Sequence, residues 1–230
     1  MHLVTGTKTV LCLVAMFTFP LSAYAIPAIT CHCFTDRSYD AAHPAAADAY
    51  FLATTQNSFF AIVFKTDKKS IVMKKQQGTS PDDLWVAYWV ASKAGKTPDS
   101  LLQAKSKSDS WKNTVVPLNL PPKSLGARFS NTLNANALTD QLSEAVVDEL
   151  FLKEQLLSER DLSDMRKAGA NNQELIIATV IATKTKQSAK QLYLEVKAGT
   201  KTWGSLLSWT KIDTKNMQQE VTNILKLHSQ

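Results

Sequence analysis

The chain has little histidine and little cysteine, and this scarcity limits the chemistry it can support. Of its 230 residues, four are histidine and three are cysteine. His2 and Cys12 fall within the first 25 residues, and His228 falls within the last three. Residues 44–227 contain no histidine. This stretch by itself therefore cannot provide Ser-His-Asp catalysis, Cys-His catalysis or a histidine-ligated metal site.

Glycine and proline are also scarce, with 7 and 8 residues, and they occur in short clusters, so we do not expect extensive disorder. The chain has no glycine-rich phosphate loop and no dinucleotide fingerprint. Long apolar runs are missing after residue 25, and a segment such as Phe59–Phe64 is far shorter than the roughly 20 residues that a membrane-spanning helix needs. We expect no transmembrane segment in this part of the chain.

The first 25 residues have the three parts of a signal peptide. Lys8 supplies a positive charge, Val10–Phe19 is apolar, and Ala23 and Ala25 place small residues where a signal peptidase cleaves. We therefore expect residues 1–25 to be removed and the mature protein to be periplasmic or secreted. About 205 residues then remain, which is enough for a sizeable core.

Apolar residues recur at helical spacing along most of the mature chain, and the pattern repeats. The stretch Gly78–Leu102 aligns with Gly169–Tyr193 at a constant offset of 91 residues. Predicted helix-capping residues repeat at the same offset, as seen in Ser80 with Asp83, Asn171 with Glu174, Thr97, and Ser188 with Gln191. These matches indicate an internal duplication.

The sequence thus predicts an all-α protein built by tandem duplication of a unit of roughly 90 residues. An extended Cys-containing segment (26–46) precedes a first helical repeat (47–133) and a second (138–230). The second repeat is predicted to have helices at about 139–157, 160–168, 172–186, 189–198, 202–210 and 214–227. The helix at 81–94 and its counterpart are apolar on nearly all sides, so we expect each to be the centre of its own core.

The stretch Val196–Ile212 resembles a helical unit of uncharacterised secreted bacterial proteins. The match is carried by Gly199, Trp203, Gly204, Leu206 and Leu207 and covers about a quarter of the chain. The first repeat departs from it, because lysines (Lys107 and Lys112) replace the two glycines. The resemblance implies an all-helical fold and export, and it implies no activity.

Cys31, His32 and Cys33 form the one reactive cluster of the mature chain. In an extended segment Cys31 and Cys33 point to the same side, so they could share a soft metal ion with His32 and His43. The spacing differs from that of common zinc and haem sites, and a disulfide between the two cysteines would close a small, strained ring. A strained or intermolecular disulfide, a metal site and two inert thiols remain as alternatives.

Positive charge is concentrated in the first repeat. Residues 47–133 contain 12 lysines and arginines against 6 acidic residues, whereas residues 138–230 contain 12 of each. The excess gathers between Lys65 and Lys75, and the candidate partner-binding lysines are Lys65, Lys68, Lys69, Lys74 and Lys75. Such a patch would attract an anionic surface, although lysines also serve solubility.

We therefore expect an exported, non-enzymatic helical envelope protein that docks to an acidic envelope protein or an anionic lipid surface. Nucleic acid is not an expected partner, because aromatic residues are not interleaved with the basic residues. No cofactor is expected. The alternative is a thiol-redox or soft-metal protein that uses the Cys-His-Cys segment.

Overall fold

The computed structural model describes residues 37–227, and this range is helical without any β-strand. The predicted all-α class is confirmed. The predicted signal peptide and the residues Cys31, His32 and Cys33 lie outside the described range. The α-helices of this range are α1 Asp48–Val63, α2 Lys68–Gln76, α3 Pro81–Ala94, α4 Pro98–Ser108, α5 Trp111–Val115, α6 Pro122–Leu125, α7 Ala127–Asn134, α8 Thr139–Lys153, α9 Glu159–Lys167, α10 Asn172–Ala182, α11 Ala189–Lys197, α12 Trp203–Thr210 and α13 Met217–Leu227.

Local capping explains where several of these helices begin. The Asn171 side chain accepts a hydrogen bond from the Glu174 backbone N–H at 3.0 Å, and the Glu174 carboxylate accepts one from the Asn171 N–H at 3.0 Å. Ser188 and Gln191 form the same reciprocal pair at the start of α11. Both predicted capping boxes are therefore confirmed. Each of them pairs backbone N–H donors that the start of a helix otherwise leaves without a partner.

The start of α3 differs from its predicted capping box. Ser80 accepts a hydrogen bond from the Asp82 N–H at 3.2 Å, and the Asp83 carboxylate instead accepts one from Trp111 Nε1 at 2.8 Å. The prediction of a reciprocal Ser80–Asp83 pair is therefore wrong. Asp83 serves a tertiary contact, because it holds the buried Trp111 ring of α5 against the beginning of α3.

Helices α3 and α10, which the sequence predicts to be apolar on nearly all sides, are covered by helices from opposite halves of the chain. Helix α10 has every residue from Leu175 to Ile181 buried, and it packs mainly on α1 and α11. Helix α3 packs mainly on α8 and α4. Helix α1 also packs on α13, and α8 packs on α7. The first helix of each half therefore covers the third helix of the other half.

This exchange corrects the prediction of two separate cores. The buried apolar residues of both halves form one continuous cluster, which includes Phe59, Trp85, Phe151 and Ile176. The rings of Phe59 (α1) and Phe151 (α8) lie 5.6 Å apart, centroid to centroid. The rings of Phe60 (α1) and Trp85 (α3) lie 4.6 Å apart. The two halves share one core because each would expose an apolar helix face without the other.

Helix starts in the two halves are spaced regularly. Helices α2, α3 and α4 begin at residues 68, 81 and 98, and α9, α10 and α11 begin at 159, 172 and 189. The offset is 91 residues in each case. The glycines before α3 and α10, Gly78 and Gly169, both have a φ of 93°.

Residues 39–48 pack against the start of α12, where side chains approach Gly204 closely. The Asp48 carboxylate accepts hydrogen bonds from the N–H groups of Trp203 at 3.1 Å and Gly204 at 2.8 Å. A Cβ on Gly204 would lie 2.9 Å from Phe51 Cε2 and 3.0 Å from Tyr39 Cδ2. The contact therefore needs glycine at this position, and Asp48 caps a helix that follows it by 155 residues.

The helices of the described range are short. The longest, α1, has 16 residues. Within residues 37–227 none is both long enough and apolar enough to cross a bilayer.

Gly204→Ala should destabilise the protein by about 1–3 kcal/mol, because the added methyl overpacks the contact with Phe51 and Tyr39. A glycine-to-alanine change inside a helix without such a contact would instead be stabilising. Denaturant unfolding measures the effect, and Ser208→Ala in the exposed part of α12 is the control, expected within about 0.5 kcal/mol of wild type. A more stable Gly204→Ala variant would contradict the close approach.

Candidate functional site

The candidate basic residues occupy α2 and the turn before it. Asp67 caps α2 by accepting a hydrogen bond from the Ser70 N–H at 2.8 Å. Lys65 and Lys69 are exposed, and Lys68 and Lys74 are half-buried. Burial lowers the pKa of Lys68. We call these four lysines the basic surface.

Lys75, which the sequence grouped with them, is buried and does not belong to this surface. The residue is 8% exposed, and its Nζ donates to Asn57 Oδ1 at 2.6 Å. Burial lowers the pKa of Lys75 to about 8, while the charge of Asp82 acts in the opposite direction. The expectation of an exposed Lys75 is wrong because α2 turns this side chain towards α1.

The basic surface is weakly neutralised. Lys74 pairs with Asp99 of α4, whereas Lys65, Lys68 and Lys69 form no ion pair within 4.0 Å in the part of the chain that the structure describes. In the second half four lysines have carboxylate partners: Lys153, Lys184, Lys190 and Lys201. The local field of α2 is therefore positive.

The first turn of α2 carries its positive charge at an unfavourable place. Lys68 and Lys69 stand at the N-terminal end of the helix, where the helix dipole favours negative charge. The corresponding turn of α9, 91 residues later, contains Glu159 and Asp161, with Arg160 at the position that matches Lys69. The lysines thus weaken α2, and helix stability does not explain their presence.

His43 is the one proposed metal ligand within the described range. Its ring is exposed, and Nδ1 lies 3.0 Å from Asp40 Oδ2. The hydrogen bond from His43 lowers the pKa of Asp40. Among residues 37–227 no group of three metal-ligating side chains comes together. Cys31, His32 and Cys33 lie outside this range, so the metal and thiol alternatives stay predictions.

A buried polar cluster between the halves was not found by sequence reasoning. In each half a cation on the second helix meets a polar residue on the first helix: Lys75 with Asn57, and Arg166 with Asp148. Arg166 donates to Asp148 Oδ1 from Nε at 2.9 Å and from Nη2 at 2.8 Å. Both cations and both partners are 91 residues apart. The offset of 91 residues between Lys75 and Arg166 was the feature of the sequence that could have indicated this cluster.

Asp148 of α8 differs in exposure from the acidic neighbour on the same helix face. Its side chain is 10% exposed, whereas that of Glu144, one turn earlier, is 49% exposed. Partial burial raises the pKa of Glu144, and the nearby Arg166 acts in the opposite direction. Of the two, Asp148 is the buried partner of Arg166, and Glu144 is about half exposed at the edge of this contact.

Further hydrogen bonds extend the cluster across both halves. Ser143 Oγ lies 2.5 Å from Asp82 Oδ1, and it accepts from Asn172 Nδ2 at 3.2 Å. Gln173 Nε2 donates to Gln56 Oε1 at 2.9 Å. These residues line a cleft of about 260 Å³ where α3 and α10 begin. Because the polar groups bond to one another, the cluster fixes how α1, α3, α8 and α10 meet.

Comparison with known proteins adds no relationship: no family model, no curated protein and no solved structure matches the chain. The resemblance of Val196–Ile212 to a secreted helical unit accordingly stays a prediction.

Removing Asp148 should be far more costly than removing a surface partner. Asp148→Ala removes the close anion of the buried Arg166 guanidinium and leaves only Glu144 at 3.9 Å, which should cost about 3–5 kcal/mol of unfolding free energy. Asp99→Ala removes the partner of Lys74, but Asp99 is 70% exposed, so it should cost below about 1 kcal/mol. Chemical denaturation measures both, and the double variant Asp148→Ala with Arg166→Met should recover stability. Equal losses in the two single variants would contradict this account.

Stability should rise with pH between about 8 and 10.5, because the folded pKa of Lys75 is below its unfolded value of 10.5. In this window the unfolded state binds a proton that the folded state has released, and below it both states are protonated. The gain is about 3 kcal/mol for a shift of this size. Unfolding measured across the window should show the rise in wild type and in Lys69→Met. Lys75→Met should lose most of it and keep only the contributions of Lys68 and Lys93, and a Lys75→Met variant with the wild-type slope would assign the effect elsewhere.

Proposed function

We propose that the protein is an exported, non-enzymatic, all-helical envelope protein that docks to an anionic lipid surface through the basic surface. The observation that carries the proposal is the pair of lysines, Lys68 and Lys69, in the first turn of α2. They have no ion-pair partner within 4.0 Å among residues 37–227, and they oppose the helix dipole. Anion binding would account for the presence of these two lysines, which weaken the helix that carries them.

An exposed apolar side chain on α2 favours lipid over an acidic protein. Met73 is 45% exposed and follows Lys69 by four residues, so the two share one helix face. A lysine beside an exposed apolar side chain suits the boundary between headgroups and acyl chains. Helix α2 has only 9 residues, so the binding is weak and reversible.

We further propose that the chain arose by duplication of a unit of about 90 residues and that the docking role belongs to the first copy. The regular offset of helix starts and the paired cations Lys75 and Arg166 support the duplication. The acidic first turn of α9 supports the division of roles, because α9 has the charges that stabilise a helix start. The second copy thus represents the arrangement that stability favours.

Reversal of Lys68 and Lys69 to glutamate should weaken binding to anionic vesicles by more than about 30-fold, since each lost lysine contributes about 1 kcal/mol near such a surface and each glutamate adds repulsion. Vesicle co-sedimentation with mixed phosphatidylglycerol and phosphatidylcholine measures it. The control is reversal of Lys167 and Lys186, which are exposed lysines of the second half. It changes the net charge equally and should retain most binding.

Two further readouts make this experiment decisive. Lys68→Glu should raise the unfolding free energy by about 0.3–1 kcal/mol while it weakens binding, so lost binding cannot be ascribed to unfolding. Binding should also fall as salt rises. Vesicle binding that ignores salt, or that both double reversals weaken alike, would overturn the proposal, as would binding to an acidic protein with none to vesicles.

A further inference from the structure

A groove of about 750 Å³ lies where α1, α3 and α8 end, beside the last turn of α13. Its wall includes three aromatic residues, Phe64, Tyr88 and Trp89. Apolar aliphatic side chains complete the wall: Ile62, Val63, Ala91, Leu150 and Leu225. The volume falls within the range of about 300–1,000 Å³ that is typical of small-molecule sites.

Tertiary contacts fix the aromatic wall. Trp89 is 4% exposed, and its Nε1 donates to the Leu125 carbonyl oxygen at 3.1 Å. The rings of Phe64 and Tyr88 lie 5.6 Å apart, and both pack on the ring of Phe60. The indole N–H of Trp89 thus has its hydrogen-bond partner inside the protein, and this bond holds the ring in place. The wall therefore offers a preformed apolar surface.

Lysines surround this apolar wall: Lys65, Lys93, Lys96 and Lys153. Lys93 Nζ lies 4.5 Å from the centroid of the Trp89 ring. Burial lowers the pKa of Lys93, and the positive charge of Lys153 lowers it further. Two like charges thus converge on the groove, and an anion placed between them would relieve their repulsion.

Helix ends do not fully neutralise these lysines. The C-termini of α1, α3, α8 and α13 each contribute about half a negative charge near the groove, and Glu154 contributes one more. Against four lysines, the remainder is about one positive charge. This balance complements a ligand with a single negative charge.

The corresponding surface of the second half lacks such a wall. The residues 91 positions after Tyr88 and Trp89 are Thr179 and Val180. Lys184, which follows Lys93 by 91 positions, pairs with Glu220 at 2.9 Å. The aromatic residues of the wall and three of its four lysines therefore belong to the first half.

We propose that this groove binds a single-chain amphiphile with one anionic headgroup. The acyl chain lies along Phe64, Tyr88 and Trp89, and the headgroup pairs with Lys93 and Lys96. Such a molecule has an apolar chain that matches the aromatic wall and one negative charge that matches the surrounding lysines. The groove shares Lys65 with the basic surface, but its headgroup site uses Lys93 and Lys96 whereas the proposed docking uses Lys68 and Lys69, so either proposal can fail without the other.

Calorimetric titration below the micelle concentration tests the ligand class. Dodecanoate should bind saturably with one site per chain, while dodecanol should bind at least tenfold more weakly and dodecylammonium should not bind. Dodecyl phosphate distinguishes the headgroup: binding tighter than that of dodecanoate identifies a phosphate ligand, and weaker binding identifies a carboxylate. Equal affinity for the neutral alcohol, or no saturable binding of either anion, would overturn the proposal.

A matched pair of variants locates the site. Ser92 lines the groove and is exposed, and its Oγ donates to the carbonyl oxygen three residues earlier at 2.7 Å. Ser106 on α4 is also exposed and makes the same local bond at 2.8 Å. Ser92→Trp should fill the groove and abolish dodecanoate binding, whereas Ser106→Trp should bind as wild type does. Unchanged binding in Ser92→Trp would place the ligand elsewhere.

Charge variants separate this site from the docking surface. Lys93→Gln with Lys96→Gln should weaken dodecanoate binding about tenfold or more, because charge-assisted hydrogen bonds are lost. Lys105→Gln with Lys107→Gln removes equal charge from α4 and should leave it unchanged. Reversal of Lys68 and Lys69 should likewise leave it unchanged. If all three pairs weaken binding alike, net charge rather than the groove is responsible and the proposal fails.

Discussion

The fold depends on one constraint, which is that α3 and α10 are apolar on nearly every side and must be covered all round. A helix of this kind cannot remain at a surface, because each large apolar side chain that stays exposed loses the roughly 1.5–3 kcal/mol of stabilisation that its burial would provide. The chain meets the requirement by exchange: α1 covers α10, and α8 covers α3. The two halves therefore share one core, and each half by itself would expose apolar surface.

The buried polar cluster gives this apolar arrangement its register. Apolar contacts are not directional, so they allow helices to slide or rotate with modest loss. Arg166 with Asp148 and Lys75 with Asn57 are directional, and the bond between Gln173 and Gln56 joins residues 117 positions apart. Because an unpaired buried charge is very costly, only one placement of the helices satisfies the whole cluster.

The two halves use similar helices for different purposes. Helix α9 has an acidic first turn and α2 a basic one, and the aromatic wall beside Lys93 gives way to Thr179 and Val180 in the second half. In this pair of helices the second half follows the rule for stable helix starts more closely. The departures in the first half, the lysines of α2 and the aromatic wall, are the features that the proposed docking surface and the proposed groove use.

The sequence by itself determined what depends on neighbouring residues. The helix starts at Asn172 and Ala189 and the capping boxes before them depend on contacts within four residues, and their positions were predicted correctly. The predicted helix ends were less accurate, since 172–186 ends at Ala182 and 139–157 ends at Lys153. At these ends tertiary contacts compete with local preference.

Only the tertiary structure decided which helix covers which, and with it the fate of individual side chains. Helical spacing cannot distinguish the half-buried Lys74 from the buried Lys75, because their exposure depends on α4 and α1, which are distant in sequence. The same holds for Asp148 beside Glu144, and for the groove formed by four helix ends. Periodicity states that a face must be buried, whereas the partner that buries it is set by the packing of the whole chain.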